Sequence, residues 1–137
     1  MKPLEELNLP DSVRYLEEHT WARRDGDLVI VGISDYAQDQ LGDITFLDLP
    51  EAGDTFSKGE QFGAVESAKS LSDLYMPVTG TIESVHTELD DDPEIVNRDP
   101  YGEGWLLAVK PDDPAEIDGL LTNDGYLDYL SGMERIE

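Results

Sequence analysis

From residue 20 to residue 110 the chain is a succession of short runs with strand character, each stopped within a few residues by glycine or proline. This close punctuation limits the fold more than any other feature. Apolar runs such as 28–31 and 105–109 are far too short to span a membrane. Asp25-Gly26 lies between residues 20–24 and 27–31 and predicts a β-hairpin. Residues 28–31, continuously apolar and mostly β-branched, predict a well-buried strand. Ser34 has the character of a helix N-cap, 35–41 of a short helix, and Gly42 of its stop. Strands are expected at 44–49, 62–67, 71–76, 81–85 and 105–110, with 55–56 extended and turns at 51–54, 57–60 and 77–80.

Small helices punctuate the rest. Asp90-Asp91-Asp92 before Pro93 predicts one helical turn at 94–97. The acids do not carry the spaced ligands and mid-loop glycine of a calcium-binding EF-hand, and read as a solvated loop. Asp113-Pro114-Ala115-Glu116 has the form of a capped helix start. Tyr126, Leu127, Tyr129 and Leu130 have helical spacing, with an end near Gly132 and the aromatics packed on the barrel. The expectation is a mainly β fold, a barrel or sandwich with short peripheral helices and a C-terminal helix. One domain fills 1–137, its core at about 15–111 and a helical extension at 112–137. Val65-Glu66-Ser67 recurs as Ile82-Glu83-Ser84, an echo that chance explains easily and that would also suit a barrel of two similar halves.

Thirty-two acids against nine lysines and arginines give a formal charge of −23. Such a surface repels nucleic acid and anionic lipid and attracts basic protein partners. It also suits solubility or adaptation to salt. The N-terminus does not have the basic start and apolar core of a secretion signal. With no cysteine, thiol catalysis, disulfides and thiolate metal sites are excluded, and a cytoplasmic location fits. No nucleophile elbow, P-loop, dinucleotide fingerprint or zinc-protease motif is present. His19 and His86 belong to no ligand pattern and read as surface or satisfied core residues.

In this setting Lys69 is conspicuous, one of four lysines, placed between two strand-like runs and flanked by Ala68 and Ser70. A lysine at the open tip of a hairpin is available to a modifying enzyme. Acylation removes its charge and extends its reach, and a cofactor tethered there acts at high effective concentration on any enzyme the carrier meets. By local features alone, an ordinary exposed lysine remains an open reading.

The residues around it resemble the lipoyl-attachment region of the glycine cleavage system H-protein family, whose pattern is close to ES-x-K-x-x-SD-x-x-x-P-x-x-G. Glu66-Ser67, Lys69, Ser72-Asp73, Pro77 and Gly80 match. So do Val31-Gly32-Ile33, Asp35-Tyr36-Ala37-Gln38, Leu41-Gly42-Asp43, Leu49-Pro50, Gly53, Gly59, Asn97, Pro100-Tyr101 and Gly104-Trp105-Leu106. The likeness covers residues 15–111. It implies a barrel-sandwich hybrid fold and lipoic acid in amide linkage on Lys69, with Glu66, Ser67, Ser72 and Asp73 in recognition or arm contact. It implies a carrier that is not itself a catalyst. Its partners would be a glycine decarboxylase that loads methylamine, an aminomethyltransferase, a dihydrolipoamide dehydrogenase and a lipoyl-transferring enzyme. No metal, nucleic acid or membrane partner is implied. Near Trp21 the family usually reads H-E-W, its acid holding the charged arm; here the residues are His19-Thr20-Trp21, with Glu18 or Asp73 as candidate substitutes. An H-like carrier serving lipoate relay or sulfur transfer is an alternative. A biotinyl carrier is a further one, although its acceptor lysine normally lies between methionines.

Overall fold

A computed structural model of the chain describes residues 3–134. Strands β1 (Arg14–Tyr15), β2 (Thr20–Asp25) and β3 (Leu28–Ile33) open the fold and α1 (Asp35–Leu41) follows. Then come β4 (Ile44–Asp48), β5 (Thr55–Phe56), β6 (Gln61–Ser67), β7 (Leu71–Tyr75) and β8 (Gly80–Val85). A turn of helix α2 (Ile95–Arg98), β9 (Leu107–Pro111) and helix α3 (Asn123–Glu134) complete it. All pairings are antiparallel. One sheet runs β1-β2-β3-β9-β8-β5 and the other β4-β6-β7. This is mainly β with short peripheral helices, as the punctuation predicts, and its strands form two sheets. No helix among the described residues is long and apolar enough to cross a membrane.

The six-stranded sheet is buried on both faces, which is why 28–31 does not alternate. Val29, Val31 and Ile33 enter the main core with Val65, Leu74, Met76, Ile82, Leu107 and Val109. Ile30 points the other way, into a second cluster with Tyr15, Trp21, Ala108, Tyr126 and Leu130. Tyr126 of α3 stacks on Tyr15 with ring centroids 4.6 Å apart and planes 2° from parallel. Trp21 faces Gly32 across the β2–β3 pair. A methyl carbon at Gly32 would lie 2.6 Å from the indole ring, so only glycine admits this tryptophan. Each of these fully buried side chains contributes roughly 1.5–3 kcal/mol by leaving water.

Local chemistry explains most elements. The Asp25-Gly26 signal does make a hairpin, with Asp25 paired to Leu28. Its central residues are Gly26, at φ +61, and Asp27, the type II′ arrangement. Ser34 caps α1, its hydroxyl accepting from the Ala37 amide at 3.2 Å, and Gly42 ends the helix at φ +74.

One strand comes without a sequence signal, and two expectations need correction. The short strand at Arg14–Tyr15 had no sequence signal and exists because Tyr15 is packed into the second cluster. The acids at 90–92 do not cap a turn at 94–97. Asp90 ends a 3-10 helix over Thr87–Asp90, Asp92 accepts from Arg98 at 2.8 Å, and the helical turn is Ile95–Arg98. Asp113 caps a 3-10 helix at Pro114–Gly119, and Glu116 closes no capping box; its carboxylate accepts from the Thr79 amide at 2.6 Å. Helix α3 ends at Glu134, near Gly132 as expected. The 65–67 and 82–84 echo falls on β6 and β8, in different sheets. Val65 and Ile82 are both core residues, but a register shift in β8 leaves Ser84 exposed where Ser67 is buried.

Candidate functional site

Strands β6 and β7 pair Glu66 with Leu71, leaving residues 67–70 as the connection. None of these residues has a positive φ. The turn is held by Ser67 instead of by glycine. Its buried hydroxyl accepts from the amides of Lys69 at 3.4 Å and Ser70 at 3.1 Å, and its own amide donates to the Ser70 carbonyl at 2.8 Å. This is the local side-chain turn that serine favours. Ala68 and Lys69 occupy the exposed tip.

The lysine stem lies across the end of α1. A methyl carbon built on Gly42 would fall 3.2 Å from Lys69 Cε and 3.7 Å from Nζ. The ammonium group is thus near a helix C-terminus, where a positive charge is favoured. Asn97 fixes that end: its amide nitrogen donates to the Gly42 carbonyl at 2.8 Å and to the Gln38 side chain at 3.1 Å. Its oxygen accepts from the Ile44 amide at 2.9 Å. One side chain therefore joins α1, α2 and the start of β4 beneath the lysine.

Beside the hairpin is a cleft of about 340 Å³, bounded by Glu18 and His19, by α1 and by residues 70–74. Ile33, Leu41, Val65 and Leu74 give it an apolar lining, and Glu18 and Asp73 add two exposed carboxylates. The volume is at the small end for ligand sites and suits a narrow hydrocarbon chain. The two acids suit a cation at its end.

His19 forms one wall under constraint. It is the only non-glycine residue with a positive φ among the described residues, at +79. Its Nδ1 is 2.7 Å from the Tyr126 hydroxyl, which is 2.8 Å from the Ser34 hydroxyl. Burial pushes the imidazole down to about 4. A neutral His19 then accepts from Tyr126, Tyr126 accepts from Ser34, and Ser34 accepts from the Ala37 amide. Burial likewise drives the Tyr126 and Tyr101 phenols well above their usual range, so both stay protonated. His86 is satisfied too, stacked on Trp105 with Nδ1 2.7 Å from the Trp105 carbonyl. Among the described residues no group of three or more histidines and acids is placed to hold a metal.

The five residues singled out from sequence divide into three sets. Ser67 and Lys69 build the tip, and Ser72 and Asp73 line the adjoining cleft. Glu66 is on the outer face of the smaller sheet, paired with Phe46 on one side and Leu71 on the other. Thr20 is buried, and its hydroxyl donates to the Tyr75 carbonyl at 2.9 Å, tying β2 to β7. It does not line the cleft, whereas Glu18 does. Sequence reasoning missed Gly42, Asn97 and the α1 residues Tyr36, Ala37 and Gln40 as parts of the site. Of these only Gly42 carried a local signal, as a helix stop.

A family model described as Glycine cleavage H-protein matches residues 13–133. The chain belongs to that family. It is 50% identical over 120 residues to the glycine cleavage system H protein of Bacteroides fragilis, covering 88% of this chain and 95% of that one. It is equally identical, over 124 residues, to a probable glycine cleavage system H protein of Haloarcula marismortui, covering 90% and 98%. Among solved structures it is similar to the crystal structure of a glycine cleavage system H protein from Mycobacterium marinum. There the TM-score is 0.82 at 40% identity, over 90% of this chain and 99% of that one. In this H-protein, therefore, the two-sheet frame is that of its family, and the Lys69 hairpin stands beside the Glu18–Asp73 cleft.

Proposed function

We propose that this H-protein is the lipoyl carrier of a glycine cleavage system, with lipoate in amide linkage on Lys69. One observation carries the reading: an exposed lysine on a turn held by a buried serine stands beside a narrow apolar cleft with two carboxylates. That cleft fits the group. Its lining accepts hydrocarbon, and Glu18 and Asp73 accept an amine. When bound, lipoate supplies the sulfur chemistry that takes methylamine from glycine at the decarboxylase and yields its carbon at the aminomethyltransferase.

The chain's own residues do the positioning. Ser67 sets the turn, Gly42 gives the lysine stem room, and Asn97 holds the helix end below it. Ile33, Leu41, Val65 and Leu74 exclude water from a parked arm. Glu18 takes the electrostatic role that an acid at position 20 would otherwise fill, since the Thr20 hydroxyl is committed to Tyr75. The neutral His19 adds no positive charge to repel an amine. Glu66, which does not line the cleft, is assigned to recognition by enzymes that act on Lys69. None of these residues needs to make or break a bond, so the protein is a substrate of its partners and not a catalyst. Those partners are the decarboxylase, the aminomethyltransferase, the dihydrolipoamide dehydrogenase and a lipoyl-transferring enzyme. A cytoplasmic setting fits a chain without cysteine.

The test is intact mass of the protein from its native host, with peptide mapping of Lys69. A lipoyl-amide increment on that residue is expected. A biotinyl increment, or a bare lysine in cells that make lipoate and do not overproduce the protein, would overturn the reading.

A further inference from the structure

A second depression lies at the opposite edge of the Lys69 hairpin's sheet, between β4 and β8, with a volume of about 540 Å³. Phe46, Leu49 and Val85 give it apolar surface. Phe46 is 56% exposed, one of two large hydrophobic side chains left so open among the described residues; the other is Leu71, at 66%. Pairing puts both on one row: Phe46 opposes Glu66, and Glu66 opposes Leu71. Directly opposed residues share a face, so the row Phe46–Glu66–Leu71 leads from the groove across the sheet. Lys69 follows Glu66 by three residues, at most about 10 Å of chain.

The rim is of one sign. Asp48, Glu51, Glu83 and Asp90 line the groove and no lysine or arginine does. None of these four carboxylates is in an ion pair among the described residues. Apolar surface bounded by unpaired acids is complementary to an apolar side chain flanked by lysine or arginine.

We propose that this groove is the docking site for a basic, apolar-centred segment of the enzyme that attaches lipoate to Lys69. The inference rests on the carrier reading. Attachment brings the enzyme's catalytic groups to the bare lysine amine, so its contacts must begin beside the hairpin. Enzymes that act on the far end of a long arm can bind at a distance. The groove and its row of exposed side chains meet the nearer requirement.

The test is the rate of lipoyl attachment to purified carrier by the lipoyl-transferring enzyme, at varied carrier concentration. D48K/E83K and Phe46→Ser are expected to raise KM about tenfold while kcat holds, as loss of charge and apolar complementarity at an interface would. A charge-matched control away from the groove, E103K/D118K, should stay within about twofold. Thermal melts of all three variants should match wild type, since these side chains are exposed. Equal KM for groove and control variants, or a loss confined to kcat, would overturn the groove alone. Failure of the unaltered protein to accept lipoate would overturn the carrier reading with it.

Discussion

Two of the fold's hairpins solve chain reversal in opposite ways. Between β2 and β3 the turn is Gly26-Asp27, with the glycine at φ +61 and nothing within 4 Å of where its side chain would be. Backbone conformation alone makes that turn. Between β6 and β7 no residue takes a left-handed conformation. A buried hydroxyl gathers two amides, and the tip side chain is laid over the end of a helix. A turn that only reverses the chain is cheapest with glycine, which needs no partner. A turn that must present one side chain gains from a fixed side-chain bond, because glycine would leave the presented residue loose.

The strongest way to break this comparison is to exchange the functions of the tips. Lys69→Arg should abolish lipoylation and glycine oxidation in a reconstituted system while the fold persists. Adding Asp27→Lys to that variant should not restore modification, since the other hairpin has neither serine cradle nor cleft. Mass spectrometry reads both, and lipoate on residue 27 would show that any exposed hairpin lysine suffices.

The next effect concerns the cleft wall. His19 is neutral in the folded state with its proton affinity lowered to about 4, against 6.5 in the unfolded chain. The unfolded chain therefore binds more protons between those values, and stability is lost as pH falls from 6.5 toward 4. The His19 contribution to that loss should be about 2 kcal/mol at pH 5. Asparagine tolerates the left-handed backbone at this position, so His19→Asn should flatten the slope. Urea melts at pH 7 and pH 5 measure it, and identical slopes would refute the assignment.

The two turns then separate under matched substitutions. Ser67→Ala leaves two tip amides without their acceptor and should cost about 1 kcal/mol. Gly26→Ala forces an L side chain into a left-handed turn and should cost a similar amount, about 1 kcal/mol. Only the first should slow lipoylation, by about tenfold; equal slowing would mean general destabilisation and not presentation. The smallest effect is expected at Asp73. Asp73→Asn should leave stability within about 0.5 kcal/mol, as for an exposed residue. It should weaken retention of the charged arm a few-fold, read as faster loss of methylamine from loaded protein.

Features that rest on neighbours in the chain were legible in the sequence. Ser34 and Gly42 bracket α1 because caps are local, and Asp25-Gly26 announces its hairpin for the same reason. Lys69 could be singled out because its neighbours are small and strands flank it. What was not legible depends on tertiary partners. Thr20 looks like a vacancy in the site until its hydroxyl is seen on Tyr75. Glu66 and Ser67 are adjacent in sequence, yet sheet alternation sends one to the outer face and the other into the turn. Glu116 has capping-box spacing but reaches Thr79, 37 residues away in the chain. The cleft gathers residues 18–19, 36–41 and 70–74, which no local pattern joins.

The missing side chain at Gly42 that lets α1 stop also leaves room for the amine end of Lys69. Helix length and the direction in which the arm departs are therefore a single heritable trait. A lineage that added one more helical residue here would crowd Lys69. Any drift of α1 must be accompanied by change in the hairpin, and the two segments, although 27 positions apart, should vary together through evolution.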